Sequence, residues 1–260
     1  MKKCLNVLLA CFILIFSTVV FAAIEPDDDY HEAKGWGEPG QSWTAGIRAA
    51  ELAAYRRAVE DIMEFQLDSE TNVEKGTTNK DEIHTKLNVV LRRAKIIEED
   101  QLPDGRYYAI VRIPIWGVKN SVASAIFEKN ENIEPFPEPK FPQPISASDS
   151  SYTGLILDCR GLGLTKAMSP VIKDDSGQPI YGYKNLDYDK VISAGMASYT
   201  TSVTENVSRA GSNPLVIKAV SVEGYASKCN PVVSADDASK ILSANMASHF
   251  LDKCSVVFVK

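Results

Sequence analysis

Histidine and cysteine are scarce in this chain of 260 residues, which holds three of the first and five of the second. Cys4 and Cys11 fall within the first 22 residues, which leaves Cys159, Cys229 and Cys254. So few cysteines exclude a disulfide scaffold, and an apolar core has to carry the stability. The close Cys/His pairs of a zinc cluster are missing too. His31-Glu32 opens like a zinc-protease helix, but Gly35 stands where the second histidine belongs. Asp27, Asp28 and Asp29 lack the alternating spacing and the glycine of a calcium loop. His84 sits beside Glu82 on the polar side of its expected helix, and His249 beside Phe250 reads as a packed or surface residue. Neither a Gly-x-Ser-x-Gly elbow nor a Gly-Lys-Ser/Thr run occurs, which excludes the common serine-hydrolase and P-loop signatures. Beyond the first 22 residues, 26 basic residues face 34 acidic ones with no Lys/Arg-rich run. Nucleic-acid affinity comes mostly from neutralising phosphates, so nucleic acid is excluded as a partner.

The long hydrophobic run that is present lies at the start. Lys2 and Lys3 precede an almost wholly apolar stretch from Leu5 to Phe21, and Val20 and Ala22 supply the small residues a signal peptidase reads. The expectation is a signal peptide over 1–22, cleaved after Ala22, with a periplasmic or extracellular folded part. Two alternatives stay open. Cys4 to Ala23 is long enough for an uncleaved anchor that leaves the folded domains outside the membrane. Leu8-Leu9-Ala10-Cys11 resembles a lipobox, although cleavage there leaves the apolar residues Phe12 to Phe16 at the new N-terminus.

Proline marks the main boundary. Pro135, Pro137, Pro139, Pro142 and Pro144 forbid regular helix, and a Ser-rich end follows, so 130–151 reads as a semi-rigid linker. It separates a first domain over 30–129 from a second over 152–260. The fold class expected is α+β, as two mixed α/β domains.

In the first domain Gly35, Trp36, Gly37, Pro39 and Gly40 suggest an irregular lead-in. Ser42 then caps a helix whose buried stripe is Gly46, Ala50, Ala53, Ala54, Ala58 and Ile62. Side chains this small let a helix approach a sheet closely. A strand is expected over 67–75, a helix over 81–94, and a hairpin around Pro103-Asp104-Gly105. A short helix over 118–127 closes the domain. The second domain reads as a strand at TGLILDC, a hairpin around Asp175-Ser176-Gly177 and one strand over 213–224. A helix capped by Ser234 and a final strand at CSVVFVK follow, which suggests a parallel crossover; 186–211 is left unassigned.

The richest stretch for chemistry is YTGLILDCRGLGL, residues 152 to 164. Lys166 stands where the third glycine of a dinucleotide fingerprint belongs. Cys159 has no histidine near it in sequence, so it lacks a base that makes a thiolate. The bland reading is a core strand ending in a glycine-rich turn, with Asp158 capping amides or pairing with Arg160 or Lys166. The sharper reading is a ligand edge at Asp158 and Arg160, because ligands favour the carboxyl ends of sheet strands. Strand order favours Cys159–Cys229 as the candidate disulfide over any pair with Cys254.

Ala33, Gly35 and Gly37, followed by Arg48, Ala49, Ala50, Ala53, Ala54, Arg57 and Ala58, form a pattern that resembles two families. These are the LPP-twenty-type envelope lipoproteins and the N-terminal domain of flagellar assembly protein T. The hairpin at Leu102 to Gly105 and the strand from Tyr107 to Trp116 fit the same pattern. The second domain is similar to a module that follows this domain in exported bacterial proteins. The resemblance implies surface-layer or flagellar-base components, with no catalytic residue and no cofactor to carry over. The expected function is a non-enzymatic envelope protein that binds an envelope partner or self-assembles. The alternative is a periplasmic small-ligand-binding or hydrolytic protein that uses Asp158 and Arg160.

Overall fold

The lead-in expected to be irregular is a strand, β1 (Tyr30–Gly37). Its alternation is strict: His31, Ala33, Gly35 and Gly37 are buried while Tyr30, Glu32, Lys34 and Trp36 face outward. The glycines that suggest a turn serve close approach instead. A methyl group on Gly35 would lie 2.0 Å from the Ala54 nitrogen and 2.2 Å from the Ala50 oxygen, and one on Gly37 would lie 2.3 Å from the Gly46 oxygen. These backbones belong to helix α1 (Trp43–Glu64), which runs along β1 with Ala50, Ala54, Ala58 and Ile62 fully buried.

The computed structural model describes residues 30–64, 79–129, 131–141, 152–224 and 228–260. The leader over 1–22, the acidic run at 27–29, the strand expected at 67–75 and the side chain of His84 lie outside the described residues. Among the described residues no helix is long and apolar enough to cross a membrane.

Helix α2 (Asn79–Leu91) precedes strands β2 (Lys95–Gln101) and β3 (Tyr107–Pro114), which form the expected antiparallel hairpin. Gly105 takes φ +85° in its turn, a conformation that glycine reaches without steric cost. The sheet order is β1-β3-β2, so β3 is central and Pro114 stands at its end, where the missing N–H is tolerated. Ser121 caps the short helix α3 (Val122–Ile126) through a reciprocal capping box with Ser124.

The second unit holds two four-stranded sheets. The parallel one contains β4 (Gly154–Asp158), β7 (Ser198–Thr200), β8 (Pro214–Lys218) and β11 (Val256–Val259), in the order β7-β11-β4-β8. The mixed one contains β5 (Ile172–Asp174), β6 (Pro179–Tyr181), β9 (Ser221–Glu223) and β10 (Asn230–Val233), in the order β6-β5-β10-β9. The single strand expected over 213–224 is therefore two strands that belong to different sheets. Helix α4 (Tyr188–Ala194) and β7 occupy the stretch left unassigned. Ser234 caps helix α5 (Ala235–Ser248) as expected, and His249 ends it in the left-handed conformation at φ +56°. The strand directly before α5 is β10 of the mixed sheet, so the strand–helix–strand run crosses between sheets.

Both faces of the parallel sheet are covered. Leu155, Leu157, Val256 and Phe258 point into the main core, while Ile156, Val257 and Val259 meet Val203, Val207 and Ala210 on the other side. This explains why β4 and β11 read as continuous apolar runs instead of alternating ones.

One buried cluster joins the units. It runs from Ala54, Ile62, Leu87 and Ile113 to Leu157, Met196 and Phe258. At the junction the Gly117 amide donates to the Ile192 carbonyl at 2.6 Å, and Phe127 packs on Tyr183 with ring centres 4.8 Å apart. The Trp116 ring sits where a Cβ on Gly195 would come within 2.9 Å of it. The proline-rich segment, as far as Phe141, has no regular secondary structure. It lies docked on the second unit and is no free spacer.

Candidate interaction surfaces

Asp158 ends β4 in the middle of the parallel sheet. Its carbonyl accepts the Ala219 amide at 2.9 Å, and the Cys159 amide donates to the Val259 carbonyl at 2.8 Å. Arg160 folds back over the strand end, and a turn with Gly161 and Gly163 at positive φ follows it. The Arg160 guanidinium donates to both Asp158 carboxylate oxygens, from Nε at 2.8 Å and Nη2 at 2.7 Å, and the Arg160 amide adds a third bond at 3.1 Å. The structure thus brings the two expected ligand-edge residues together as each other's partners. The Arg160 side chain holds the Asp158 carboxyl below its ordinary range against the opposing effect of burial, and Lys218 adds to the lowering. A carboxylate so held is ionised at neutral pH and is a poor proton donor.

Cys159 does not form the candidate disulfide with Cys229. All three described cysteines are buried free thiols. The Cys159 sulfur turns to the Leu157 carbonyl of its own strand at 3.7 Å, and the Cys229 sulfur to the Asn230 side-chain oxygen at 3.5 Å. Burial, helped by the Asp158 charge, pushes the Cys159 thiol up to about 12, so it is neutral and a weak nucleophile. Burial likewise raises Cys254.

His31 is buried, with Nε2 3.2 Å from an Asp61 oxygen whose carboxylate also pairs with Arg57 at 2.7 Å. His249 is exposed and lies 3.6 Å from Asp252. Among the described residues no three His, Cys, Asp or Glu side chains are grouped to hold a metal.

The surface that sequence reasoning missed is the outer face of the first sheet. Helix α1 covers one face; the other presents Tyr30, Glu32, Lys34 and Trp36 of β1 beside Tyr108, Ile110 and Arg112 of β3. Tyr30 is 52% and Trp36 44% exposed, which is high for side chains of this size. The Lys34 ammonium lies 3.9 Å from the Tyr108 ring centre and 4.6 Å from that of Trp36. Arg106 approaches Trp36 at 5.1 Å, and Arg112 approaches Tyr30 at 5.5 Å while pairing with Glu32 at 2.7 Å. The Tyr108 hydroxyl donates to Glu98, and that bond is the main reason its phenol is pushed up to about 12. Aromatic rings and arginines held rigidly on an open sheet are the composition of protein-binding hot spots. The signal was present in the sequence as alternation over Tyr30 to Gly37, but the glycines suggested a loop.

Comparison with known proteins divides the chain at the same point. Residues 154–260 match the family model described as Treponema pallidum Tp0624, second domain, and residues 27–114 match that of the LPP20 lipoprotein family. Among curated proteins, none matches the chain. The second of these matches supports the resemblance of the first unit to LPP20-type lipoproteins, and with it an exported, envelope-associated type of protein.

Proposed function

We propose that this protein is a non-enzymatic component of a bacterial cell envelope, which binds a protein partner through the open face of its first sheet. The observation that carries the reading is the exposure of Tyr30 and Trp36 among Lys34, Arg106 and Arg112 on that face. Burying Tyr30 and Trp36 orders few rotatable bonds for the area covered, which keeps their share of the entropic cost low. The absence of enzymatic turnover is inferred from the neutral, buried thiol of Cys159 and from the mutual neutralisation of Asp158 and Arg160. A role in a flagellar-base or surface assembly is the finer form of this proposal. Export through a signal peptide cleaved after Ala22 is its cellular counterpart, checked by the mass of the mature N-terminus.

The test is capture of a partner from the envelope fraction by the full chain. The variant carrying Tyr30→Ala and Trp36→Ala is expected to fold and to lose that capture. Equal capture by wild type and variant overturns the reading.

A further inference from the structure

Residues Glu134–Phe141, with the sequence EPFPEPKF, cross a groove between the β5–β6 hairpin, the turn Tyr183–Asn185 and the start of α5. The contacts read an extended chain. The buried side-chain amide of Asn185 donates to two successive carbonyls, those of Glu134 and Pro135, each at 3.2 Å. The Glu134 amide donates to the Lys184 carbonyl at 2.9 Å, and the Phe136 ring lies parallel to Tyr181 with centres 6.4 Å apart. Lys140 reaches the carboxylate of Asp174, which is 2% exposed, at 2.6 Å, and the Ser176 hydroxyl at 2.9 Å. The Phe141 amide donates to the buried hydroxyl of Ser239 at 3.1 Å.

Three buried polar side chains, Asp174, Asn185 and Ser239, therefore have partners on this segment. Asp174 also accepts from Ser176 and Gln178, and Ser239 also donates to the Ala235 carbonyl. Both bonds of the Asn185 amide go to the segment, so leaving the groove empty is costly chiefly at Asn185 and at the Lys140–Asp174 pair. Pro135, Pro137 and Pro139 have no N–H to satisfy and preset an extended geometry, which lowers the cost of ordering the segment.

We infer that this groove is a recognition site for an extended proline-rich peptide, filled in cis by Glu134–Phe141 and open in trans to the same segment of a second copy. A second copy is the occupant because its segment carries the carbonyls, the lysine and the amide that Asn185, Asp174 and Ser239 engage. Ten residues, 142–151, separate Phe141 from Tyr152, and ten residues reach about 33–36 Å at full extension. That length allows neighbouring copies to exchange segments, which is a low-cost route to a dimer. The cis segment competes at an effective concentration on the order of millimolar, so weakening it favours the exchange.

The test uses the full chain. Lys140→Glu weakens the segment and leaves the groove intact; Asn185→Ala weakens the groove and leaves the segment intact. A labelled EPFPEPKF peptide is expected to bind Lys140→Glu at least about tenfold more tightly than wild type, because the cis competitor is weakened. Adding Asn185→Ala to that variant should remove the gain. Mixing the two single variants should give a heterodimer in sedimentation, since an intact segment meets an intact groove only across the two chains. Circular dichroism checks that each variant folds, and Lys140→Gln replaces Lys140→Glu if the charge reversal unfolds the protein. Peptide binding no tighter than to wild type, or unchanged by Asn185→Ala, overturns the site. Peptide binding with a mixture that stays monomeric overturns the second copy as its occupant.

Discussion

Two of the three sheets among the described residues solve burial in opposite ways. The antiparallel sheet of β1, β2 and β3 is covered by α1 on one face and by no other described element on the other, so β1 and β3 alternate buried residues with half-buried or exposed ones. The parallel sheet around β4 and β11 is covered on both faces, and those two strands contain little but buried apolar side chains. A sheet closed on both sides stabilises the fold but offers its faces to nothing else. A sheet left open gives up some burial and presents fixed side chains to a partner. The contrast places the fully enclosed sheet in the second unit and the exposed aromatic face in the first.

The largest effect expected is in the closed sheet. Phe258→Ala removes a fully buried ring packed edge-on against Tyr199 and should cost about 3–5 kcal/mol in chemical denaturation. Trp36→Ala on the open face should cost far less, and an equal loss would break the contrast between the sheets. Next comes the glycine contact of β1. Gly35→Ala forces a methyl against the backbone of α1 and should cost about 3 kcal/mol. Gly163→Ala, at φ +75° with nothing within 4 Å of its Cβ, meets backbone strain alone and should cost about 1 kcal/mol.

Acid should act on the docked proline-rich segment. Burial alone would raise the Asp174 pKa. The bonds from Lys140, Ser176 and the amides of Gln178 and Ser176 outweigh it and hold the carboxyl at about 2, below its ordinary 3.8. A lowered folded value means that the stabilisation is complete above the unfolded pKa and is lost as pH falls from about 4 toward 2. Its size is about 2 kcal/mol. The loss of stability between pH 5 and pH 2 should be about 2 kcal/mol larger in wild type than in Asp174→Asn, since other carboxylates held low, such as Asp158, titrate in both. The smallest effect expected is at the strand end. Arg160→Ala, at a half-exposed side chain, should change stability by less than about 1 kcal/mol. A loss of several kcal/mol would instead give Arg160 a structural role that its exposure does not suggest.

Local signals were legible wherever neighbours in sequence are neighbours in space. The small-residue stripe of α1, the turns at Pro103 to Gly105 and at Asp175 to Gly177, and the Ser234 cap are all written within a few residues. The two-unit α+β organisation followed from these and from the proline run. What failed was long-range. Gly35 and Gly37 looked like loop residues because the helix backbone they touch lies nine to nineteen residues away. Nothing in NPLVIKAVSVEG says that Leu215 pairs with β4 while Val222 pairs with β10, since strands of three to five residues carry too little pattern to choose a sheet. Asp158 and Arg160 were visible as a pair of charges. Their closure on each other was one of the pairings that the sequence offered, because the two residues are only two apart.

By itself the sequence determined the helices other than α4, the hairpins, the apolar runs of the closed sheet and the extended character of the proline-rich segment. These depend on backbone preferences and on the period of hydrophobic residues over short stretches. Only the tertiary structure decided that β1 is a strand, that no described element covers one face of its sheet, that Cys159 and Cys229 stay apart, and that the proline-rich segment is held by Asp174, Asn185 and Ser239. Each of those outcomes is a contact between groups at least 20 residues apart, or the lack of one, and such contacts are chosen by the packing of the whole chain.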